Sequence, residues 1–390
     1  MGGRSYIEKS YHAVPPRPEA RGPITVRSTL LPLPTADLTR LKERVKRLAE
    51  DRPAVYRMVD PAGRVLYVGK ARKLRARLLS YFRAKFPDDK AARILQAAAD
   101  IEWDYSPSEF SALLGEIRAI KKLRPPYNVA GNRNRQAVFI TMMGGPAPRL
   151  AAVKWPHADE RVYGPFSSLG RVRESIRVLN DLLGLRDCAP KMPIVFADQG
   201  DLFAEPHQAA CLRYDIGQCL GPCAGFVTQE KYQGAAIDAV SFLEARAIRP
   251  LDRVVNAMEQ AAAAADFETA QRWREKFESL EWLLAASVRA RAAVDLLTFV
   301  YRDPGALGDD RIYLIRRGTV RATFPNPTTP IELEAFRAAV AEESERAEPP
   351  GGVLPVERLD EVLVVMAWFR KHPDALRRTT PIESWVAVTN

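Results

Sequence analysis

Cysteine and histidine are scarce in this chain of 390 residues, which contains four of each. No stretch of about 18 apolar residues occurs, so the sequence predicts no membrane span. The N-terminal segment MGGRSYIEKSYHAVPPRPEARG is polar and proline-rich, without the apolar run that a secretory signal needs. We therefore expect a cytoplasmic protein with a disordered tail over residues 1–37.

Two windows of the chain lack acidic residues altogether. Residues 61–87 hold eight Lys or Arg, residues 117–135 hold six, and neither window contains Asp or Glu. The whole chain carries a net charge of +10, so its positive charge is concentrated locally. This concentration favours a phosphate-binding surface. The alternative is a pair of solvated helix faces, although such faces usually contain interspersed acids.

The hydrophobic pattern predicts a mixed α/β protein that begins with a short antiparallel sheet flanked by helices. Two β-rich runs, residues 54–59 and 64–68, flank DPAG, which suits a type I turn with Gly63 at positive φ. A two-residue loop would set Tyr56 opposite Tyr67. A bulge at Gly63 would turn the two apart, and the sequence leaves both registers open.

Helices are predicted on both sides of this sheet. One, over about residues 70–84, would carry Lys70, Lys73 and Arg77 along one side. Another is expected to open with a capping box from Ser106 to Glu109. The predicted domains are a tail (1–37), an α/β domain (38–135), linker strands with the cysteines (136–227), a helical region with a hairpin (228–292) and a degenerate C-terminal α/β domain (293–390).

The segments AVY, LYVGKARKLRARL, SEFSALLGE and RPPYN follow one another in order. Over about residues 53–130 they resemble the GIY-YIG nuclease domain of the UvrC/Cho type, although Ala54 stands where the first motif usually has glycine. The resemblance implies a domain that hydrolyses DNA phosphodiesters with Mg²⁺ or Mn²⁺. Such chemistry needs an activated water and a cation on the phosphoryl oxygens.

The resemblance also implies roles for individual residues. Glu116, at the edge of the apolar stripe of its predicted helix, would hold the metal. Tyr67 would be the general base or a proton relay, and nearby cations would have to lower its pKa from about 10. Tyr56 would position the nucleophile or the phosphate.

The basic windows supply the remaining implied groups. Arg77 would clamp the scissile phosphate with its planar fork, Lys70 would add a point charge, and Asn128 would fix the site or the strand. Further basic residues are expected to hold the backbone of damaged double-stranded DNA without reading its bases. They are Arg72, Lys73, Arg75, Arg83, Lys121, Lys122 and Arg124.

All the cysteines, Cys188, Cys211, Cys219 and Cys223, fall within 36 residues. In a cytoplasmic protein this favours metal ligation over disulfides. Four thiolates hold either tetrahedral Zn²⁺ or a [4Fe–4S] cluster, and the spacing lacks the CxxC pairs of zinc ribbons. The segment also resembles the cysteine region of UvrC, which implies the cluster.

Residues 253–284 are predicted to form a helical hairpin interrupted at ADF, and they are similar to the UVR motif. A plain hairpin packed on its own domain is the alternative. The resemblance implies a UvrB-like partner. The expected partner-binding residues are Met258, Phe267, Ala270, Phe277 and Leu280.

Together these features predict an excision-repair endonuclease that nicks DNA on the 3′ side of a lesion after a UvrB-like protein has loaded. A catalytically idle DNA-binding homologue and a stand-alone or mobile-element nuclease are the rival hypotheses. A second, RNase H-like incision activity is not expected, because the only histidine after residue 207 is His372 and no matching aspartate motif accompanies it.

Overall fold

The computed structural model describes residues 35–129, 137–157, 160–189, 191–199 and 211–386. The predicted tail, residues 1–37, lies outside these ranges except for its last three residues, whose backbone begins the first helix. None of the described helices is long and apolar enough to cross a membrane.

The first domain is a three-stranded antiparallel sheet with helices around it. Its elements are α1 (Thr35–Leu48), β1 (Ala54–Val59), β2 (Val65–Ala71), α2 (Leu74–Tyr81), α3 (Lys90–Ala97), β3 (Asp100–Tyr105), α4 (Glu109–Leu123) and α5 (Pro126–Val129). Strand β1 is central, with β2 and β3 on its two sides. The predicted α/β class is confirmed.

The β1–β2 hairpin forms at the predicted turn, where Gly63 has a φ of +77°. Neither predicted register occurs. The loop is one residue longer than a two-residue turn, and a β-bulge near the end of β1 adds a second offset. Each offset of one residue turns the side chains of β2 to the opposite face of the sheet, so the two offsets together return them to the original face. Tyr56 therefore pairs with Gly69, and Tyr67 lies diagonally from Tyr56 on the same face of the sheet.

The predicted start of α2 is wrong. Strand β2 pairs with β1 as far as Ala71, and α2 begins only at Leu74. Lys70 therefore lies in the strand, and Lys73 is the residue before the helix. Hydrogen bonding along the whole strand pair outweighs the helical spacing of the basic residues.

The predicted cap of α4 is also wrong. Ser106 continues the sheet edge, where its amide donates to the carbonyl of Pro53. The cap is Ser108, whose hydroxyl oxygen accepts the amide of Ser111. The same hydroxyl bonds to the carboxylate of Asp303, far along the chain. This tertiary bond, which no local pattern contains, fixes where α4 begins.

The middle of the chain combines a second three-stranded sheet with long helices. Its elements are β4 (Val138–Met143), β5 (Arg149–Val153), β6 (Arg161–Phe166), α6 (Leu169–Leu183), α7 (Leu212–Asp215), α8 (Gln229–Leu243), α9 (Arg249–Ala263) and α10 (Phe267–Asp295). Strand β4 lies between β5 and β6. Helices α9 and α10 form the predicted antiparallel hairpin, and one hydrophobic core joins them to the sheet and to α6 and α8.

The C-terminal domain contains an antiparallel sheet of order β10-β7-β8-β9. Its elements are β7 (Phe299–Asp303), β8 (Arg311–Arg316), β9 (Thr319–Pro325), α11 (Pro330–Glu345), α12 (Leu359–Lys371), β10 (Thr379–Thr380) and α13 (Glu383–Val386). These strands and helices give the region the predicted α/β class. The sequence prediction missed α11, although a capping box between Thr329 and Glu332 marks its start.

Helix α4 packs into the C-terminal domain as well as onto its own sheet. The fully buried ring of Phe110 lies 4.9–6.3 Å, between ring centroids, from Tyr301, Tyr313, Trp368 and Phe369. Edge-to-face packing of this kind adds to the stabilisation from buried area. The C-terminal domain therefore fixes the position of α4.

Candidate active site

Three tyrosines form a cluster on one face of the first sheet. The ring centroids of Tyr56, Tyr67 and Tyr81 lie 6.0–6.4 Å from one another. Tyr56 is fully buried, and its hydroxyl lies 2.8 Å from that of Tyr81. Tyr81 is not among the site residues that the sequence predicts. Its position four residues after Arg77, one helical turn away, is the signal that could have identified it.

Glycine at position 69 makes this cluster possible. A Cβ atom there would lie 2.5 Å from the hydroxyl oxygen of Tyr56 and 2.9 Å from a ring carbon of Tyr67. Such distances are far below van der Waals contact. The backbone of β2 must therefore carry no side chain where the two rings approach it. This explains why glycine follows Tyr67 and Val68 in the sequence.

Arg77 lies over the tyrosine cluster. Its Nε donates to the hydroxyl oxygen of Tyr56 at 3.3 Å, and its guanidinium carbon lies 5.2 Å from the ring centroid of Tyr81. The residue is nevertheless exposed, so its remaining donors are open to solvent. This placement suits the phosphate clamp that the sequence predicts.

The three phenols differ in burial, and this difference limits which of them can take part in proton transfer. Burial raises the pKa of Tyr56 to about 12, and burial also raises the pKa of Tyr81. Both hydroxyls therefore keep their protons at neutral pH and act as hydrogen-bonding groups. Tyr67, which is only half-buried, is the phenol of the cluster best placed to exchange a proton with solvent.

Glu116 lies on α4 beside β2. Its Oε1 accepts the backbone amide of Lys70 at 3.1 Å. In the described part of the chain this is the one hydrogen bond to the carboxylate, so Oε2 is open to an ion. Burial raises the pKa of Glu116, while the positive charges of Lys70 and Arg77 act in the opposite direction.

The side chain of Lys70 is directed to a different carboxylate. Its Nζ lies 3.0 Å from Oε1 of Glu109, in a half-buried ion pair. The pKa of Glu109 is lowered, because the hydrogen bond and charge of Lys70 outweigh the effect of burial. Lys70 therefore contacts Glu116 through its backbone and neutralises Glu109 with its ammonium group.

Asn128 holds the open edge of the sheet. Its Oδ1 accepts the amide of Val68 at 2.7 Å, and its Nδ2 donates to the carbonyl of the same residue at 2.8 Å. The side chain thus replaces a neighbouring strand for the residue between Tyr67 and Gly69. This geometry matches the predicted role of fixing the strand, and it keeps the edge from pairing elsewhere.

The predicted DNA-binding residues divide into two groups. Arg75 donates to the carbonyl of Ala49, and Lys121 donates to the carbonyl of Glu357, so both have structural partners within the protein. The others are exposed on the first domain: Arg72, Lys73, Arg83, Lys122 and Arg124.

The cysteines lie near one another, although Cys188 follows α6 and the other three flank α7. Burial raises the pKa of Cys219 and of Cys223, and the neighbouring thiols of Cys211 and Cys188 raise these pKa values further. Across the described residues, no three His, Cys, Asp or Glu side chains are close enough to hold one metal ion. The arrangement therefore does not match a compact single-ion site.

The buried arginine beside these thiols lacks an acidic partner. Arg186 is 5% exposed and donates to Sγ of Cys188 at 3.4 Å and to the carbonyl oxygens of Ala147 and Ala189. Within the described ranges it forms no ion pair with a carboxylate. Because buried charges are normally compensated, negative charge on the neighbouring sulfurs would suit this guanidinium.

The predicted partner surface on the hairpin is smaller than expected. Leu280 is fully buried in the core, and Phe277 packs against the same core, so neither is available on an exposed face. Phe267, at the hairpin tip, is 73% exposed. Met258 and Ala270 are half-buried between these extremes.

Two family models match consecutive parts of the chain. Residues 52–129 match the UvrC-like GIY-YIG domain, and residues 137–242 match the middle domain of the UvrC/Cho excinuclease. The first part is thus a domain of the GIY-YIG class. The two matched ranges are thus domains of the UvrC/Cho type, as the motifs predicted.

Individual relatives agree with these matches. UvrABC system protein C of Pseudomonas fluorescens is 35% identical over 230 residues, which are 59% of this chain and 36% of the relative. The protein of the same name from Actinobacillus succinogenes is 32% identical over 294 residues, which are 73% of this chain and 46% of the relative. The chain therefore spans less than half the length of these relatives.

A solved structure also resembles the first domain. The N-terminal GIY-YIG endonuclease domain of UvrC from Thermotoga maritima, bound to its catalytic magnesium ion, is 34% identical to this chain. The likeness covers 23% of this chain and 96% of that domain, with a TM-score of 0.21.

We expect Gly69→Ala to disrupt the tyrosine cluster. The new methyl group must displace Tyr56 or β2, which should lower the free energy of unfolding by about 1–3 kcal/mol. Chemical denaturation measures this change. Gly234→Ala is the matched control, because it adds a methyl group in open space on helix α8 and should be neutral or slightly stabilising. Equal stability of the two variants would contradict the packing role of Gly69.

Proposed function

We propose that this chain is a metal-dependent DNA endonuclease of excision repair that hydrolyses one phosphodiester bond. The arrangement around Glu116 carries the proposal. Its carboxylate is held by the amide of Lys70, directly after the glycine on which the tyrosines pack, and it lies within the electrostatic influence of Arg77. The carboxylate of Glu116, which can bind a metal, the guanidinium of Arg77, which can bind a phosphate, and the phenol of Tyr67 are thus grouped around strand β2.

Glu116 fits a magnesium ion. Mg²⁺ is commonly held by one or two carboxylates and keeps several waters, so a single half-buried carboxylate with one open oxygen suffices. A bound divalent cation would neutralise the phosphoryl oxygens and lower the pKa of a coordinated water. Manganese would suit the same oxygen ligand.

Tyrosine and arginine side chains supply the proton transfer and the phosphate binding. Tyr67 acts as a proton relay: its hydroxyl oxygen takes the proton of the attacking water while its own proton passes to solvent, which its half-buried position allows. Arg77 binds the scissile phosphate through the donors that it does not use on Tyr56. Tyr56 and Tyr81 hold Arg77 in place through their hydroxyl group and ring.

The substrate in this proposal is damaged double-stranded DNA, cut on the 3′ side of the lesion in a complex with a UvrB-like protein. Family resemblance supports the cleavage side and the partner. Of the predicted partner-binding residues, Phe267 at the hairpin tip is the one that is exposed, so it is available to a partner.

Two rival functions are less well supported. A catalytically idle homologue would not need Glu116, Arg77 and Tyr67 to be held around one strand by hydrogen bonds and close packing. A stand-alone nuclease would not need an exposed aromatic residue at the tip of the α9–α10 hairpin.

We also propose that the cysteines hold a [4Fe–4S] cluster. Neighbouring thiols raise the pKa values of Cys219 and Cys223, which indicates that the cysteines lie near one another, and their spacing along the chain lacks the CxxC pairs of zinc ribbons. The cluster and its thiolates are anionic, which would compensate the buried guanidinium of Arg186.

The central test is nicking of a lesion-bearing duplex, with each strand labelled, in the presence of Mg²⁺ and a UvrB-like protein. Glu116→Gln keeps the shape but loses the charge that binds the metal, so the nicking rate should fall about 100-fold or more. Glu102→Gln, on the exposed side of β3, is the control and should cut normally. Equal nicking by wild type and Glu116→Gln would reject the site.

Dependence on the partner is tested at the hairpin tip. Phe267→Asp should weaken binding of the UvrB-like protein roughly tenfold, measured by calorimetry, because it removes an exposed aromatic anchor. Ile331→Asp changes an equally exposed apolar residue on α11 and should bind normally. Loss of binding in both variants, or in neither, would contradict a specific docking site at the tip.

The cluster is tested by metal analysis after anaerobic purification. Iron and acid-labile sulfide should be present in equal amounts, with little zinc, and Cys223→Ser should lose most of the iron. Stoichiometric zinc without iron would show that the cysteines hold zinc instead.

A further inference from the structure

A cleft of about 440 Å³ lies at the junction of the first and C-terminal domains. Arg72 and Glu109 line it from the first domain, and the end of α12 with the turn after it lines it from the other. The cleft begins beside the candidate active site, since Glu109 is the partner of Lys70. Glu109 and Glu116 are seven residues apart on α4, which corresponds to about 10 Å.

Basic side chains from distant parts of the chain meet in this cleft. Arg72, Lys371 and Arg378 are exposed along its walls, and His372 lies between them with its ring 4.1 Å from that of Trp368. Because Phe110 anchors α4 in the C-terminal core, the two walls are held at a fixed separation. The basic side chains of the cleft are therefore brought together by the tertiary fold and not by their positions in the sequence.

The acidic residues that face the cleft are compensated within the protein. Glu109 pairs with Lys70 at 3.0 Å, and Asp374 lies 4.0 Å from Arg377. Asp303 is buried and bonded to the hydroxyls of Ser108 and Tyr301, and the charge of Arg378 offsets its own. Arg72 and Lys371 therefore remain as the excess positive charge that the cleft presents to a ligand.

We propose that this cleft binds the phosphate backbone of the nucleic-acid strand that the active site cuts. The inference rests on the proposed nuclease function and extends its substrate-binding surface onto the C-terminal domain. One strand of a duplex carries a charge every 3.4 Å along the axis, so a separation of about 10 Å corresponds to about three phosphates from the cut. Lysine and arginine at phosphates read no sequence, so binding here is independent of the bases.

The test measures binding of a fluorescent lesion-bearing duplex between 50 and 200 mM salt, in EDTA so that no cutting occurs. The slope of log affinity against log salt is negative, and each lost phosphate contact should reduce its magnitude by about 0.9. We expect this change for Lys371→Ala and for Arg72→Ala, and about 1.8 for the double variant. Lys371→Arg should retain the wild-type slope.

Arg302→Ala is the control, because Arg302 is exposed on β7 of the C-terminal domain but does not line the cleft. It should bind as the wild type does, and thermal unfolding confirms that each variant is folded. Wild-type slopes in both cleft variants would overturn the inference.

Other outcomes separate the cleft from the nuclease proposal. If the wild type never cuts but the cleft variants bind DNA with reduced slopes, the nuclease proposal fails and the cleft stands as a DNA site. If the wild type cuts normally while the cleft variants keep its slope, the cleft inference alone fails. Displacement of the duplex by a mononucleotide at low micromolar concentration, lost in Lys371→Ala, would reassign the cleft to a small phosphate ligand.

Discussion

The hydrogen bond from the backbone amide of Lys70 to the carboxylate of Glu116 joins helix α4 to strand β2. Every candidate catalytic group depends on this junction. Gly69 lies directly before Lys70 and accommodates the tyrosine rings, while Asn128 holds the strand edge through Val68. A shift of β2 by one residue would turn Tyr67 to the other face of the sheet, away from Tyr56 and Tyr81.

The same helix also connects the site to the rest of the molecule. Ser108 caps α4 and bonds to Asp303, and Phe110 lies in the aromatic core of the C-terminal domain. The proposed metal ligand therefore stands on a helix that two domains hold. This gives residues 293–390 a physical role as a support for the first domain, although they carry no recognisable second nuclease motif.

Much of this arrangement could be predicted from local pattern. The order of the motifs identified the first domain, and alternating and helical periodicity identified most strands and helices. The prediction missed Tyr81, because one aromatic residue on a basic helix is more often part of a core than of a site. It also placed Leu280 on a partner surface, because the spacing of apolar residues does not distinguish a face packed inside the protein from one that awaits a partner.

The sequence by itself determined the family, the DPAG turn, the helical hairpin and the concentration of positive charge, because these depend on residues close together in the chain. Only the tertiary structure decided the register that brings Tyr56 and Tyr67 to one face, the pairing of Lys70 with Glu109, and the basic cleft. Each of these depends on residues distant in the chain, whose contacts follow from how sheets and helices pack rather than from local propensity.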